Sequence, residues 1–122
     1  MNFSPGEINI ICTDIQRSLH FYVNVLHFEV VAVEDDCYHL RCGSYVFLLL
    51  PVARQPLEVS PYCSVPTFSA DLLTPDLEAA YHYFLTHKIA FERPWKPGAR
   101  SFIIRDPDGL VWEIIESQTG AR

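Results

Sequence analysis

Near its end the sequence places a carboxylate inside an apolar run: Glu113, between Trp112 and Ile114 in DPDGLVWEIIE, residues 106–116. The run has the β-branched and aromatic content of a strand, and strand side chains alternate between two faces. Val111, Glu113 and Ile115 then share one face, and Leu110, Trp112 and Ile114 the other. Two further strand candidates mix polar and apolar residues in the same way. Glu7, Asn9 and Ile11 oppose Ile8, Ile10 and Cys12, while Ser69 and Asp71 oppose Phe68, Ala70 and Leu72. Such carboxylates suit three kinds of chemistry. They can hold a hard divalent cation through oxygen, or receive a cationic or hydroxyl-rich organic ligand. A buried carboxyl with a raised pKa can also serve as a general base without a metal.

The remaining reactive residues are less suggestive. Cys37-Tyr38-His39-Leu40-Arg41-Cys42 resembles a zinc motif in composition, but strand alternation puts Cys37 and His39 on one face and Cys42 on the other. A structural zinc site needs four converging ligands. Without an export signal, the four cysteines are expected to be reduced thiols. There is no P-loop, no Gly-x-Gly-x-x-Gly after a strand, no Gly-x-Ser-x-Gly and no His-Glu-x-x-His.

The elements that must position these residues appear twice. LHFY at 19–22 returns as YHYF at 81–84, and the same offset of 62 carries Asp14 onto Asp76. Each Asp is a helix N-cap by type and place. Ile15, Leu19, Tyr22 and Leu26 then follow helical spacing, as do Leu77, Ala80, Tyr81, Phe84 and Leu85. A strand precedes each helix, Glu7–Thr13 and Thr67–Leu73. Three follow each: Phe28–Val33, Tyr38–Arg41 and Tyr45–Leu50, then Ala90–Glu92, Ser101–Arg105 and Leu110–Ile115. Gly43-Ser44 and Asp106-Pro107-Asp108-Gly109 supply turns. Each half is β-α-β-β-β, and the proline-rich PVARQPLEVSPYCSVP lies between them. One domain is expected, with a first module over about 5–50, a linker over about 51–66 and a second module over about 67–117.

Composition narrows the function. A net charge of −6 argues against nucleic acid, whose binders cluster Lys and Arg, and mildly favours a cationic small molecule. No apolar run approaches the ~20 residues of a membrane span, and MNFSPGEINI lacks the basic and apolar regions of a signal peptide. A cytoplasmic protein is expected.

Three stretches, DIQRSLHFYVNVLHFEV, DLEAAYHYFLTHKIAF and DPDGLVWEIIE, resemble the vicinal oxygen chelate superfamily. It includes glyoxalase I, extradiol dioxygenases and the fosfomycin- and bleomycin-resistance proteins. One departure is His27, where the family usually has Gly. The resemblance implies an α+β fold of paired βαβββ modules, with curved mixed sheets around a cup-shaped cavity. It also implies frequent homodimers and, in metal-dependent members, four inward ligands for one divalent cation. Those ligand positions fall here on Glu7, Leu48, Ser69 and Glu113. Leucine cannot coordinate, and a neutral hydroxyl is a poor ligand for zinc, nickel or manganese. None of the five histidines falls on these positions. His39 belongs to a different strand, and His20, His82 and His87 lie on or beside helices.

The resulting expectation is a small-molecule binding protein of the bleomycin-resistance kind, sequestering its ligand with no cofactor and no complete metal site. The ligand-binding candidates are Glu7, Asn9, Leu48, Ser69, Asp71, Trp95 and Glu113. Trp95, between two prolines in ERPWKPGAR, is expected to rim a pocket, and Arg93, Lys96 and Arg100 could receive an anionic group. The alternative is a metal-dependent glyoxalase-like lyase or isomerase, or a dioxygenase-related enzyme. In it Glu113 is the catalytic candidate, and two carboxylates with waters would hold a cation such as Mg²⁺ weakly.

Overall fold

A computed structural model describes residues 1–118, and the chain falls into two compact units, Met1–Pro56 and Leu57–Arg122. The first contains β1 (Ile8–Ile11), α1 (Ile15–Leu19) running into a π-helical segment (His20–Val25), β2 (Glu29–Glu34), β3 (Cys37–Cys42) and β4 (Tyr45–Leu50). The second contains β5 (Ala70–Thr74), α2 (Leu77–Thr86), β6 (Ala90–Arg93), β7 (Ser101–Arg105) and β8 (Val111–Glu116). Each unit is a βαβββ module with a four-stranded mixed sheet, ordered β1-β4-β3-β2 or β5-β8-β7-β6. The strand before the helix pairs in parallel with the last strand, and hairpins supply the antiparallel pairs. The α+β class and the internal repeat expected from the sequence are both present.

The alternation of residue types sorts each sheet into two faces. In the first unit Ile10, Cys12, Leu40, Phe47 and Leu49 are buried, as are Phe21, Tyr22 and Val25 of the helical segment and the neighbouring Phe28. The Phe28 ring stacks on Phe47 at 5.5 Å. In the second unit Phe102, Ile104, Trp112 and Ile114 are buried with Leu77 and Phe84 of α2. Each such side chain contributes about 1.5–3 kcal/mol on full burial. The opposite faces keep their polar residues accessible, because apolar surface on one side suffices to fix the strand register.

Asp14 and Asp76 cap the two helices as expected. Their Oδ1 atoms accept from the Arg17 and Ala79 backbone N–H groups at 3.1 and 3.0 Å. Both helical segments end in left-handed residues that are not glycine, His27 (φ 62) and Lys88 (φ 56). The first segment has one residue more than the second between its cap and this terminus. The π turn, where Leu26 N–H reaches Phe21 C=O at 2.9 Å, absorbs it. Because a side chain at positive φ crowds the carbonyl, Lys88→Gly is expected to stabilise the protein by about 0.5–1 kcal/mol. Urea unfolding would register this as a higher midpoint.

Candidate functional site

The open face of the second unit's sheet carries the denser set of polar groups. Asp71 lies beside Glu113, Glu113 beside Ile103, and Ile103 beside Arg93, so one row crosses the sheet from β5 through β8 and β7 to β6. The register that buries Trp112 and Ile114 fixes this row, since the intervening residues must face outward. Glu113 Oε2 accepts a hydrogen bond from Ser101 Oγ at 2.8 Å. Arg93 Nη2 donates to Ser101 Oγ at 2.5 Å and lies 3.6 Å from Glu113 Oε2. The Asp71 side chain makes no hydrogen bond or ion pair among the described residues. Burial, and secondarily the charge of Glu113, raises its pKa above the ordinary 3.8.

A cavity of about 470 Å³ opens over the Glu113, Ile103 and Arg93 part of this row, lined also by Tyr62, Cys63 and Glu92, with Asp71 beside Glu113 on edge strand β5. Tyr62 and Cys63 come from the segment between the repeats, which folds onto its own unit. Leu57 N–H binds Asp108 C=O at 2.9 Å, and Tyr62 OH lies 2.8 Å from Ser69 Oγ. Tyr62 N–H donates to Glu92 Oε2 at 3.0 Å. Arg105 organises the same region. Its Nε donates to Glu92 Oε1 (3.0 Å), its Nη1 to Gly109 C=O (2.6 Å) and its Nη2 to Ser60 C=O (2.9 Å). The Tyr62 N–H and then Arg105 hold the Glu92 carboxyl below its usual range. Glu92 is thus committed to structure, and the acids available to a ligand are Asp71 and Glu113.

The turn feeding β8 is equally committed. Asp106 Oδ1 accepts from Asp108 N–H and Leu110 N–H at 2.9 and 2.8 Å. Gly109 takes φ 95, where a side chain would be strained.

Trp95 does rim a cavity, one of about 410 Å³, but its neighbours there are Asp76, Glu78, Arg100 and Glu116, not Glu113. Its ring packs 5.9 Å from Tyr81, and its Nε1 donates to Ala99 C=O at 3.3 Å.

In the first unit Asn9 and His39 flank Leu48 on the open face. Glu7 reaches across β4 to His39, with 2.5 Å between Oε2 and Nδ1. Residues on separate strands meet here, and only the register reveals that contact. Cys42 is on the helix-facing side with Leu40, and burial raises its thiol pKa.

The four positions implied as metal ligands do not fit a metal. Leu48 has no donor atom, Ser69 faces Tyr62, Glu7 is paired with His39, and Glu113 is engaged by Ser101 and Arg93. Among the described residues no three of His, Cys, Asp and Glu converge. The arrangement at Asp71 and Glu113 instead offers two carboxylates, one with no side-chain partner among the described residues, beside an aromatic hydroxyl and an aliphatic floor. Such a surface can bind ammonium or hydroxyl groups.

The family model for the glyoxalase/bleomycin resistance protein/dioxygenase superfamily matches residues 4–114. Solved structures share the fold. A lactoylglutathione lyase from Agrobacterium tumefaciens is 19% identical, with 98% of this chain and 97% of that one covered and a TM-score of 0.67. A protein from the mobile metagenome of V. pseudocholerae is 26% identical over 98% of both chains, with a TM-score of 0.65. A virulence protein from Salmonella typhimurium is 27% identical over 97% of this chain and 100% of its own, with a TM-score of 0.63. No functionally curated protein matches the sequence.

Proposed function

Since the chain belongs to the glyoxalase/bleomycin resistance protein/dioxygenase superfamily, we propose that it binds and sequesters a small organic molecule without a metal, through the open face of its second module. The observation that carries this reading is the Asp71–Glu113 pair. Two neighbouring carboxylates, with the Asp71 side chain unpaired among the described residues and its pKa raised by desolvation and by Glu113, hold negative charge that a cationic or hydroxyl-bearing ligand would relieve. The net charge of −6 adds long-range attraction for a cation. The candidate contacts are Ser69, Asp71 and Glu113, with Tyr62 as the aromatic neighbour. Glu7, Asn9 and Leu48 offer a second face on the first module.

The protein is further proposed to be a cytoplasmic homodimer. No helix among the described residues is long and apolar enough to cross a membrane. Ile8 and Ile11 on edge strand β1, Phe68 just before edge strand β5 and Leu73 within it are exposed apolar groups suited to a second copy.

Melting-temperature shifts of chelator-treated protein test the binding reading, since a ligand that binds only the folded state raises stability by mass action. Polyamines and amino sugars are expected to raise the melting temperature, and Glu113→Gln to remove the rise. A rise that depends on added divalent metal would count against the proposal.

A second reading, a metal-dependent lyase or isomerase, is favoured by the family itself, which includes glyoxalases and dioxygenases. It requires turnover that appears on adding Ni²⁺, Zn²⁺ or Mg²⁺ and is lost in Glu113→Gln.

A further inference from the structure

We infer that the ligand of the Asp71–Glu113 site is bipolar, carrying an ammonium group and, a few bonds away, a carboxylate or comparable anion. This rests on the proposed binding role of that face and narrows the class of ligand. The row across the sheet has an acidic end and a basic end. Asp71 stands on edge strand β5 and Arg93 on edge strand β6 at the opposite side. Their backbones are separated by three strand spacings, roughly 14 Å. Arg93 leans inward over β7, so its guanidinium reaches Ser101 and approaches Glu113. The two poles are therefore closer than the backbones that carry them.

The chemistry of each group fixes what it can take. Glu92 is bound by Tyr62 N–H and Arg105, and Arg105 is also held by Gly109 and Ser60. Neither is available. Arg93 lines the cavity, its side chain is 54% exposed, and its recorded side-chain contacts are with Ser101 and Glu113. The remaining guanidinium N–H groups suit a carboxylate. Ile103, between Arg93 and Glu113 in the row and itself buried, lies at the base of the cavity beneath the bonds joining the two charges.

The poles are also coupled. While Arg93 leans on Glu113 it offsets the charge an ammonium group would seek. A ligand anion that draws Arg93 outward leaves Glu113 more negative, and the ammonium group then binds better. Reciprocity requires the converse. A bipolar ligand should gain more than its two halves contribute separately, and removing Arg93 should strengthen the binding of a plain amine.

Three probes of matched length isolate the terms: 6-aminohexanoate, hexylamine and hexanoate, titrated by calorimetry at low salt into the full chain. The zwitterion should bind about ten-fold tighter than hexylamine. In Arg93→Gln that order should reverse, with hexylamine gaining and 6-aminohexanoate losing its advantage. Asp71→Asn should weaken both amines. Circular dichroism checks that the variants fold, which exposure of both side chains favours. If the wild type binds hexylamine as tightly as 6-aminohexanoate, the bipolar inference falls while the acidic site stands. If none of the three probes saturates, both fall.

Discussion

Arg105→Ala should destabilise the second unit by about 3 kcal/mol, a large fraction of the 5–15 kcal/mol that holds a typical domain together. The substitution removes the side chain that joins β7 to three separate pieces of chain. Glu92 on β6 loses two donor atoms, and the carbonyls of Ser60 and Gly109 lose one each. The Arg105 side chain is only 14% exposed and that of Glu92 24%, so water replaces these bonds incompletely. The segment carrying Tyr62 would lose its tie through Ser60, and the cavity over Glu113 would lose a wall with it. Limited chymotrypsin digestion should cut at Tyr62 faster in the variant than in the wild type.

Acid provides a signature for the same interaction. The Glu92 carboxyl has a lowered pKa in the folded protein, chiefly through the Tyr62 N–H and then through Arg105. A depressed carboxylate pKa contributes stability above the unfolded value, near the ordinary 4.5, and loses it as pH falls through the folded value. The stability gap between wild type and Arg105→Ala should therefore be widest near neutrality and narrow in acid. Urea midpoints measured at several pH values would show it. A gap independent of pH would assign the loss to packing of the arginine stem instead.

The second large effect is expected at Asp71 and has opposite signs in two assays. Asp71→Asn should raise the melting temperature slightly near neutral pH while lowering affinity for a cationic ligand by about ten- to a hundred-fold. Partial desolvation and the neighbouring Glu113 raise the Asp71 pKa, so its ionised form opposes folding, although water around this exposed side chain screens most of the effect. For a raised carboxyl pKa the penalty is present above the folded value and disappears as the group protonates. The stability gain of the asparagine variant should accordingly vanish in acid. A group retained against stability and without a partner in the described structure has the profile of a binding residue. If Asp71→Asn left both stability and amine binding unchanged, Asp71 would be an ordinary surface acid.

Much of this was legible in the sequence, for identifiable reasons. The Asp14 and Asp76 caps are local, and so is the alternation that puts Glu113 and Trp112 on opposite faces. Both survive in the structure because each needs only a few neighbouring residues. The repeat gave the two modules. Contacts set by register or by chain return could not be read in that way. Glu7 meets His39 only because β1, β4 and β3 are adjacent in that order. Tyr62 lies in a proline-rich stretch with the look of a linker, and its place beside Ser69 and Glu92 follows from the chain folding back. Arg105 is one arginine in an apolar strand, and its partners at 60, 92 and 109 are distant in sequence or hidden in a turn. Trp95 does rim a cavity, but the β6–β7 connection carries it to the N-terminal end of α2 and away from Glu113. The sequence already marks Arg93 as a candidate for an anionic group, but its place at the end of β6 in the same row as Glu113 emerges only once the hairpin register is known.

The central claim is that the open face of the second module binds an organic cation with no metal present. Amide-resolved NMR of chelator-treated, ¹⁵N-labelled protein, titrated with spermidine, tests it most directly. The account predicts saturable shifts at Asp71, Ser101 and Glu113 and at the Arg93 side-chain N–H, absent in the Asp71→Asn, Glu113→Gln double variant. Saturable shifts at those residues that appear only after a divalent metal is added would contradict it, as would no saturable shift there at all.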